Sequence, residues 1–486
     1  MLHLTSPGVW AVVVSVAMAS LAVWWIAIGV RRHAVNRAGH VSPELRFIPP
    51  RHGRRRLVVI GLAMLLSAAA AGLIVFFLGI LHKPYDLHLC NSPIYASFAA
   101  RIAHGQLPYR DFPVEYPPLA IPLLVIPGHS GSVSTYTYWF NAEMLLMCLA
   151  AAAATAAAAV RLWHSTRTAC VAAVAFAACL LAAGSIVSNR YDAAVALVLA
   201  IVLLLLACER WRAAALLLGL GFALKLTPAI LLPLVFVLAV RWRTVAWCAL
   251  WFTLGAVPPF LLFMFGGVSA LSYPFTYQLH RPLELESVLA TPLLVGHVLH
   301  RITIEISGSF GSMNVLAGGA VALSRVSPLL ELAAVGLTYG LIWRRRATLR
   351  ATPRLVPLCV LALVLAFVSF GKVLSPQYFV WILPAIALVM PERRALGLLL
   401  LGTLMLTQIV FPWNWLATLN LARGPVLVLI ERNVWLVLAF AVSLWYLWCL
   451  PAVDEAAVPA GSLVDVRSDA CTDALPNAAV RRDAAG

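Results

Sequence analysis

The stretch His82-Lys83-Pro84-Tyr85-Asp86-Leu87-His88 and the run Gly105-Gln106-Leu107-Pro108-Tyr109-Arg110-Asp111-Phe112-Pro113-Val114-Glu115-Tyr116-Pro117-Pro118 place three carboxylates within 30 residues. A carboxylate beside an apolar surface is held toward its neutral form, and one poised there can take a proton from a hydroxyl group. Asp86 directly follows an apolar run, which puts it at a membrane surface. It could serve as general base for a substrate whose lipid tail stays in the bilayer, or simply act as a helix cap or loop charge. Asp111 and Glu115 flank a proline-rich turn beside Arg110 and Tyr116. They could contact a substrate, or pair with Arg110 and shape the loop.

Cations recur at similar places. Asn189-Arg190-Tyr191-Asp192 lies at a turn between apolar runs. Arg190 there could hold a phosphate or pair with Asp192. Lys225 interrupts an apolar run at Ala223-Leu224-Lys225-Leu226-Thr227-Pro228; it needs an anionic partner, unless its side chain snorkels to an interface. His280-Arg281-Pro282-Leu283-Glu284-Leu285-Glu286-Ser287 sets a His–Arg pair beside two carboxylates, suited to a polyol or phosphate, or to an amphipathic surface helix. Gly371-Lys372-Val373-Leu374-Ser375-Pro376-Gln377-Tyr378 crosses another turn, where Lys372, Gln377 and Tyr378 could face the same site. Lys83, Lys225 and Lys372 are the only lysines in the chain, and each sits beside one of these polar clusters. An ammonium is a point charge suited to phosphate.

The elements that must position these residues are membrane helices. Of 486 residues, 62% are hydrophobic and 11% charged, and the mean hydropathy is +0.92. Soluble domains carry about 25% charged residues, so a soluble enzyme and a disordered chain are both excluded. The net charge of +16 does not point to nucleic acid, because the arginines cluster in short segments between apolar runs: 31–56, Arg161/Arg167, Arg210/Arg212, Arg241/Arg243, 344–354 and Arg393/Arg394. That is the positive-inside pattern of cytoplasmic loops. The nine cysteines show neither metal-ligand spacing nor a disulfide framework, and no metal or cofactor is expected.

Apolar runs long enough for about 30 Å of hydrocarbon predict about 13 spans, near 8–30, 57–81, 134–160, 168–187, 193–208, two within 213–240, 244–265, 326–343, 355–371, 377–390, 395–411 and 433–450. Residues 119–127 are apolar but too short to span. Residues 82–118 and 266–325 become long outside segments. The sequence divides into an extra helix and basic cytoplasmic loop (1–56), a transmembrane domain (57–450) and a polar tail (451–486) expected to be disordered and cytoplasmic.

No P-loop, GxGxxG after a strand, DxD, GxSxG or HExxH motif occurs. Tyr85-Asp86-Leu87, Pro108-Tyr109-Arg110-Asp111-Phe112 and, most specifically, Glu115-Tyr116-Pro117-Pro118-Leu119 resemble glycosyltransferase family 87. Arg190-Tyr191-Asp192, Lys225-Leu226-Thr227-Pro228, 281–287 and Ser375-Pro376-Gln377-Tyr378 are similar to it too. The resemblance, scattered over about 57–390, implies an all-α integral membrane protein of the GT-C type, a polytopic helical bundle with its active site in extracytoplasmic loops. It also implies a polyprenyl-phosphate-mannose-dependent mannosyltransferase of actinobacterial type, with inversion at the anomeric carbon. Asp86 takes the place of the general base. Arg190, Lys225, Arg281 and Lys372 would hold the carrier phosphate, and His280 the phosphate or the sugar. The extra N-terminal span departs from the family pattern.

The expected function is thus an inverting hexosyltransferase in the plasma (inner) membrane, working on its extracytoplasmic face. Its partners are a polyprenyl-phosphate sugar donor, a lipid-linked or glycan acceptor and membrane lipids. Arg110, Asp111, Glu115, Tyr116, Arg190, Asp192, Lys225, His280, Arg281, Glu286, Lys372, Gln377 and Tyr378 are expected to bind substrate. The rival is a transporter or lipid-carrier flippase, which would concentrate its charges in the middle of broken helices. Here most of the charges lie just beyond span ends, and only Lys225 favours the rival.

Overall fold

The computed structural model describes residues 53–81, 92–128, 132–264 and 267–451. The expected helix over 8–30, most of the basic loop, Asp86 with its neighbours Lys83, His88 and Cys90, and the tail from residue 452 lie outside the described residues.

The described chain is almost entirely helical, as its composition requires. The membrane-scale helices are α1 (Gly53–Leu81), α3 (Val133–Trp163), α4 (Thr166–Ala183), α7 (Trp242–Leu262), α9 (Ala320–Arg344), α10 (Val356–Phe370), α12 (Arg394–Gln408) and α13 (Arg423–Trp448). Eight helical segments are long and apolar enough to cross a membrane; this count is of the described residues and falls short of the expected 13. Four shorter apolar segments account for much of the difference. They are α5 (Asp192–Ala207), α6 (Trp211–Leu224), Thr227–Leu238 and α11, the latter within Pro376–Val389, where α11 itself is Leu383–Val389 after a 3-10 turn, Pro376–Ile382. Helix α2 (Ser92–Ala103) precedes α3, and α8 (Gly267–His280) follows α7.

Local chemistry sets the boundaries. Ser132 caps α3 by accepting from Thr135 N–H, and Ser165 caps α4 by accepting from Thr168 N–H. Gly184, at φ +56°, closes α4 in a conformation that side chains resist. Pro228 follows Thr227 where the hairpin breaks, and Pro376 opens the later 3-10 turn; neither ring nitrogen can donate a helical hydrogen bond. Helices α6 and α7 cross at glycines. A Cβ on Gly219 would meet Phe252 O at 2.1 Å, and one on Gly255 would meet Leu216 O at 2.3 Å, so these backbones touch as small-residue membrane interfaces do.

Helix α10 and the 376–389 segment form the centre and are buried almost throughout. Helices α7 and α9 show exposed Trp242, Trp247, Leu254, Leu261, Leu329, Leu332 and Trp343, as lipid-facing helices do. The second expected outside segment, 266–325, holds an antiparallel hairpin, β1 (Glu305–Ser309) and β2 (Ser312–Leu316), paired from Glu305–Leu316 to Ser309–Ser312. The chain reverses at Phe310 and Gly311, both with positive φ.

Two ends emerge from this up-and-down threading. One gathers the arginine turns: Arg161 donates to Ala207 O, Arg350 to Val237 O and Arg345 to Trp448 O, and Arg354 pairs with Glu392. The other gathers α2, the 107–119 loop, the start of α5, the Lys225 break, 281–287, the β-hairpin and the 371–378 turn.

Candidate active site

Asp192 is the first residue of α5, where the helix dipole favours a negative charge. Its carboxylate is buried and accepts from Lys225 Nζ at 2.5 Å and from Trp381 Nε1 at 2.5 Å. Lys225 reaches it because α6 ends there and the backbone turns extended (φ −157°, ψ 132°). The ammonium also lies over three rings: Tyr191 at 4.9 Å, Tyr378 at 5.2 Å and Trp381 at 4.9 Å. Such cation–π contacts strengthen when water is excluded. Tyr378 and Trp381 stack with centroids 4.4 Å apart. Asp192 thus bonds to Lys225 rather than forming the local pair with Arg190 that the sequence left open, and Lys225 is held inside instead of snorkelling.

The 107–119 loop closes on this cage. Tyr116 packs edge-on against Tyr191 at 5.2 Å and against Tyr95 of α2 at 5.8 Å, and Tyr109 donates to Tyr116 O at 2.7 Å. Glu115 beside them is half-buried. Burial raises its proton affinity, while a backbone hydrogen bond, Tyr116, Arg190 and Arg281 pull against that rise without cancelling it. Tyr277, near the end of α8, is pushed up to about 12 by burial and by the facing Glu115.

Segment 281–287 supplies the opposite wall. Leu285 N–H donates to Met313 O and Val315 N–H to Leu283 O, which adds the segment to the edge of β2. Glu284 N–H donates to Lys372 O, and its buried carboxylate accepts from Leu374 N–H at 2.7 Å and Ser375 Oγ at 3.0 Å. Arg281 is buried and bonds Gln278 at 3.4 Å. Lys372 donates to Leu279 O at 2.6 Å; burial and the Arg281 charge lower its ammonium's proton affinity, against Glu331. Arg190 and Arg281 act electrostatically on Lys225, Glu115, Tyr277 and Tyr378 alike, so these groups lie within electrostatic reach of one another.

Arg190, Lys225, Arg281 and Lys372 lie among Glu115, Asp192 and Glu284; burial draws Glu115 and Lys372 alike toward their neutral forms. Guanidinium and ammonium groups gathered among aromatic rings suit an anion such as a phosphate ester. The groups available to hold such an anion are side-chain cations; among the described residues no three His, Cys, Asp or Glu gather as metal ligands.

Of the residues expected to bind substrate, Glu115, Tyr116, Arg190, Asp192, Lys225, Arg281, Lys372 and Tyr378 converge here, with Gln377 buried in the same turn as Tyr378. Others stand apart. Arg110 and Asp111 pair with each other at 2.8 Å on an exposed turn, and Asp111 also accepts from Leu107 N–H. His280 is exposed, with Nδ1 against Thr276 O at 2.7 Å. Glu286 is buried beside Arg432, within electrostatic reach of Glu284 and Arg190. Trp381, Tyr191, Tyr95 and Glu284 were not among the residues expected to bind substrate. Trp381 carries one usable signal, a large polar-tipped aromatic three residues after Tyr378.

The model of glycosyltransferase family 87 matches residues 114–323. The matched region holds Glu115, Tyr116, Arg190, Asp192, Lys225 and Arg281, and stops short of Lys372, Tyr378 and Trp381. No curated protein matches the chain. The family match indicates a glycosyltransferase.

Proposed function

Starting from that glycosyltransferase family 87 region, we propose that the enzyme moves a mannosyl residue from a polyprenyl-phosphate donor to a hydroxyl of a lipid-linked or glycan acceptor. Transfer inverts the anomeric carbon and takes place on the extracytoplasmic face of the plasma membrane. The observation that carries this reading is the caged Lys225, set with Arg190 and Arg281 at the ends of short helices. Helix α5 has 16 residues and α6 has 14, lengths of about 24 and 21 Å at 1.5 Å per residue. The hydrocarbon is about 30 Å thick. A pocket at the ends of such helices is sunk toward the level where a lipid carrier keeps its phosphate. The arginine turns at the opposite end support an extracytoplasmic site.

In the proposed step the acceptor hydroxyl gives its proton to Asp86 as its oxygen bonds to C1 of the sugar. The bond from C1 to the phosphate oxygen breaks, and the phosphate departs with its charge held by Lys225, Arg190 and Arg281. Neutralised in this way, phosphate leaves without a strong general acid. The Asp192 and Trp381 contacts keep the ammonium in place before the donor arrives, so little reorganisation is needed during reaction.

The test is sugar transfer in membranes supplied with radiolabelled polyprenyl-phosphate-mannose, comparing wild type with Asp86→Asn. Labelled product from wild type alone, with donor binding retained by the variant, supports both the donor and the base. Product from both keeps the transferase and moves the base, with Glu115 next to examine. Product only with other polyprenyl-phosphate sugars replaces mannose. No product with any such donor overturns the reading.

A further inference from the structure

Arg432 lies inside α13, fully buried, between Glu431 and Asn433 in a largely apolar helix. A charge at that depth is costly and in membrane proteins marks function by default. Its Nη2 donates to Glu286 O at 2.9 Å and stands 3.7 Å from the Glu286 carboxylate. The guanidinium also sits 5.5 Å over the Phe379 ring. Its neighbour Asn433 donates to Ser287 O at 3.2 Å and to Thr291 Oγ1 at 2.9 Å.

These contacts join two pieces that never meet in sequence. Segment 281–287 carries Arg281 and Glu284, while the 376–382 turn carries Gln377, Tyr378 and Trp381. Arg432 touches both from below. The held carbonyl belongs to the residue two positions beyond Glu284, and the stacked ring belongs to the residue between Tyr378 and Val380. A shift of either piece would carry pocket residues with it.

We infer that Arg432 is a positioning residue of the transfer site, fixing segment 281–287 against the 376–382 turn so that Arg281 and the Lys225 cage converge on one phosphate. Arg432 lies outside the matched region 114–323. The inference rests on the donor reading for its kinetic consequence, but the clamping itself can be measured without any donor. Lysine would supply charge without the planar fork that reaches carbonyl, carboxylate and ring together.

The experiment uses the full chain in lipid nanodiscs as wild type, Arg432→Lys, Arg432→Gln and the double variant Arg432→Met/Glu286→Gln. Removing one member of a buried Arg–Glu pair can unfold the protein, whereas replacing both members is often tolerated; the double variant therefore keeps the test decisive. Amide hydrogen exchange is read over 281–290, where the Glu284, Leu285 and Ser287 N–H groups are bonded, together with melting temperature and transfer kinetics from polyprenyl-phosphate-mannose. The double variant is expected to melt like wild type, to exchange faster over 281–290, and to show a donor KM raised about tenfold with a smaller change in kcat. Arg432→Lys should recover part of the protection and part of the KM. Unchanged exchange in the double variant overturns the inference, and so does faster exchange with wild-type kinetics. A wild-type protein that transfers no sugar counts against the donor reading, and the exchange comparison then decides whether Arg432 clamps the segment.

Discussion

The two ends of this helical bundle use arginine differently. At the arginine-rich end, guanidinium groups finish helices: Arg161, Arg350 and Arg345 donate to backbone carbonyls of neighbouring segments. Others spread over tryptophans, as Arg344 does over Trp448 and Arg346 over Trp343. These contacts anchor the chain at an interface and orient it. At the opposite end, Arg190, Arg281 and Lys225 turn inward among carboxylates and tyrosine rings. The lesson is that the number of cations does not identify a site; what surrounds them does.

The sharpest way to break this contrast is Lys225→Met. It strands the Asp192 carboxylate in an apolar cage, which costs roughly 3–5 kcal/mol of stability, and transfer should fall by more than about 100-fold. Melting curves and initial rates check both effects. Next comes Arg281→Gln, which should raise the donor KM by about 10-fold or more, since hydrogen bonds to charged groups contribute about 1.5–3 kcal/mol; initial rates against donor concentration read it.

A smaller effect concerns pH. Burial pushes Glu286 up to about 8, although Arg432 pulls it down. The folded protein therefore holds a proton that the unfolded chain releases near the ordinary glutamate value. Stability is fully present below that value and declines as pH rises toward about 8. Melting temperature should fall between pH 5 and 8 in wild type, and Glu286→Gln should flatten that slope. Smallest of all is Arg110→Ala. The Arg110–Asp111 pair is exposed, and transfer should stay within about twofold of wild type; a larger loss would bring this turn into the site and blur the contrast.

Much of the architecture was legible from apolar runs, because each helix that faces lipid must be continuously apolar. The break at Lys225 was visible for the same reason, as a charge and a proline interrupting such a run. The boundaries of α13 were not. Gly424, Pro425 and the Glu431-Arg432-Asn433 triplet depress local hydropathy, so the span was expected to begin at 433, whereas the helix runs from Arg423 to Trp448. That shift hid Arg432 by placing it outside the membrane. The β-hairpin was missed because its strands, Glu-Ile-Ser-Gly-Ser and Ser-Met-Asn-Val-Leu, are short and weakly alternating. Within the site, single residues at turns stood out by type. Their pairing did not, since Trp381 reaches Asp192 across 189 positions and nothing local encodes that contact. Asp86, the residue on which the sequence reading leaned most, lies outside the described residues.

In the proposed reaction the inward-facing cations hold the phosphate of a lipid-linked sugar. The most direct test is the double variant Asp192→Asn/Lys225→Met in lipid vesicles, given radiolabelled polyprenyl-phosphate-mannose beside wild type. Removing both charges spares the fold the stranded carboxylate, so melting should match wild type. Labelled product is expected from wild type, and at least about 100-fold less from the variant. Equal product from both proteins would contradict this role and move the phosphate site away from the Lys225 cage.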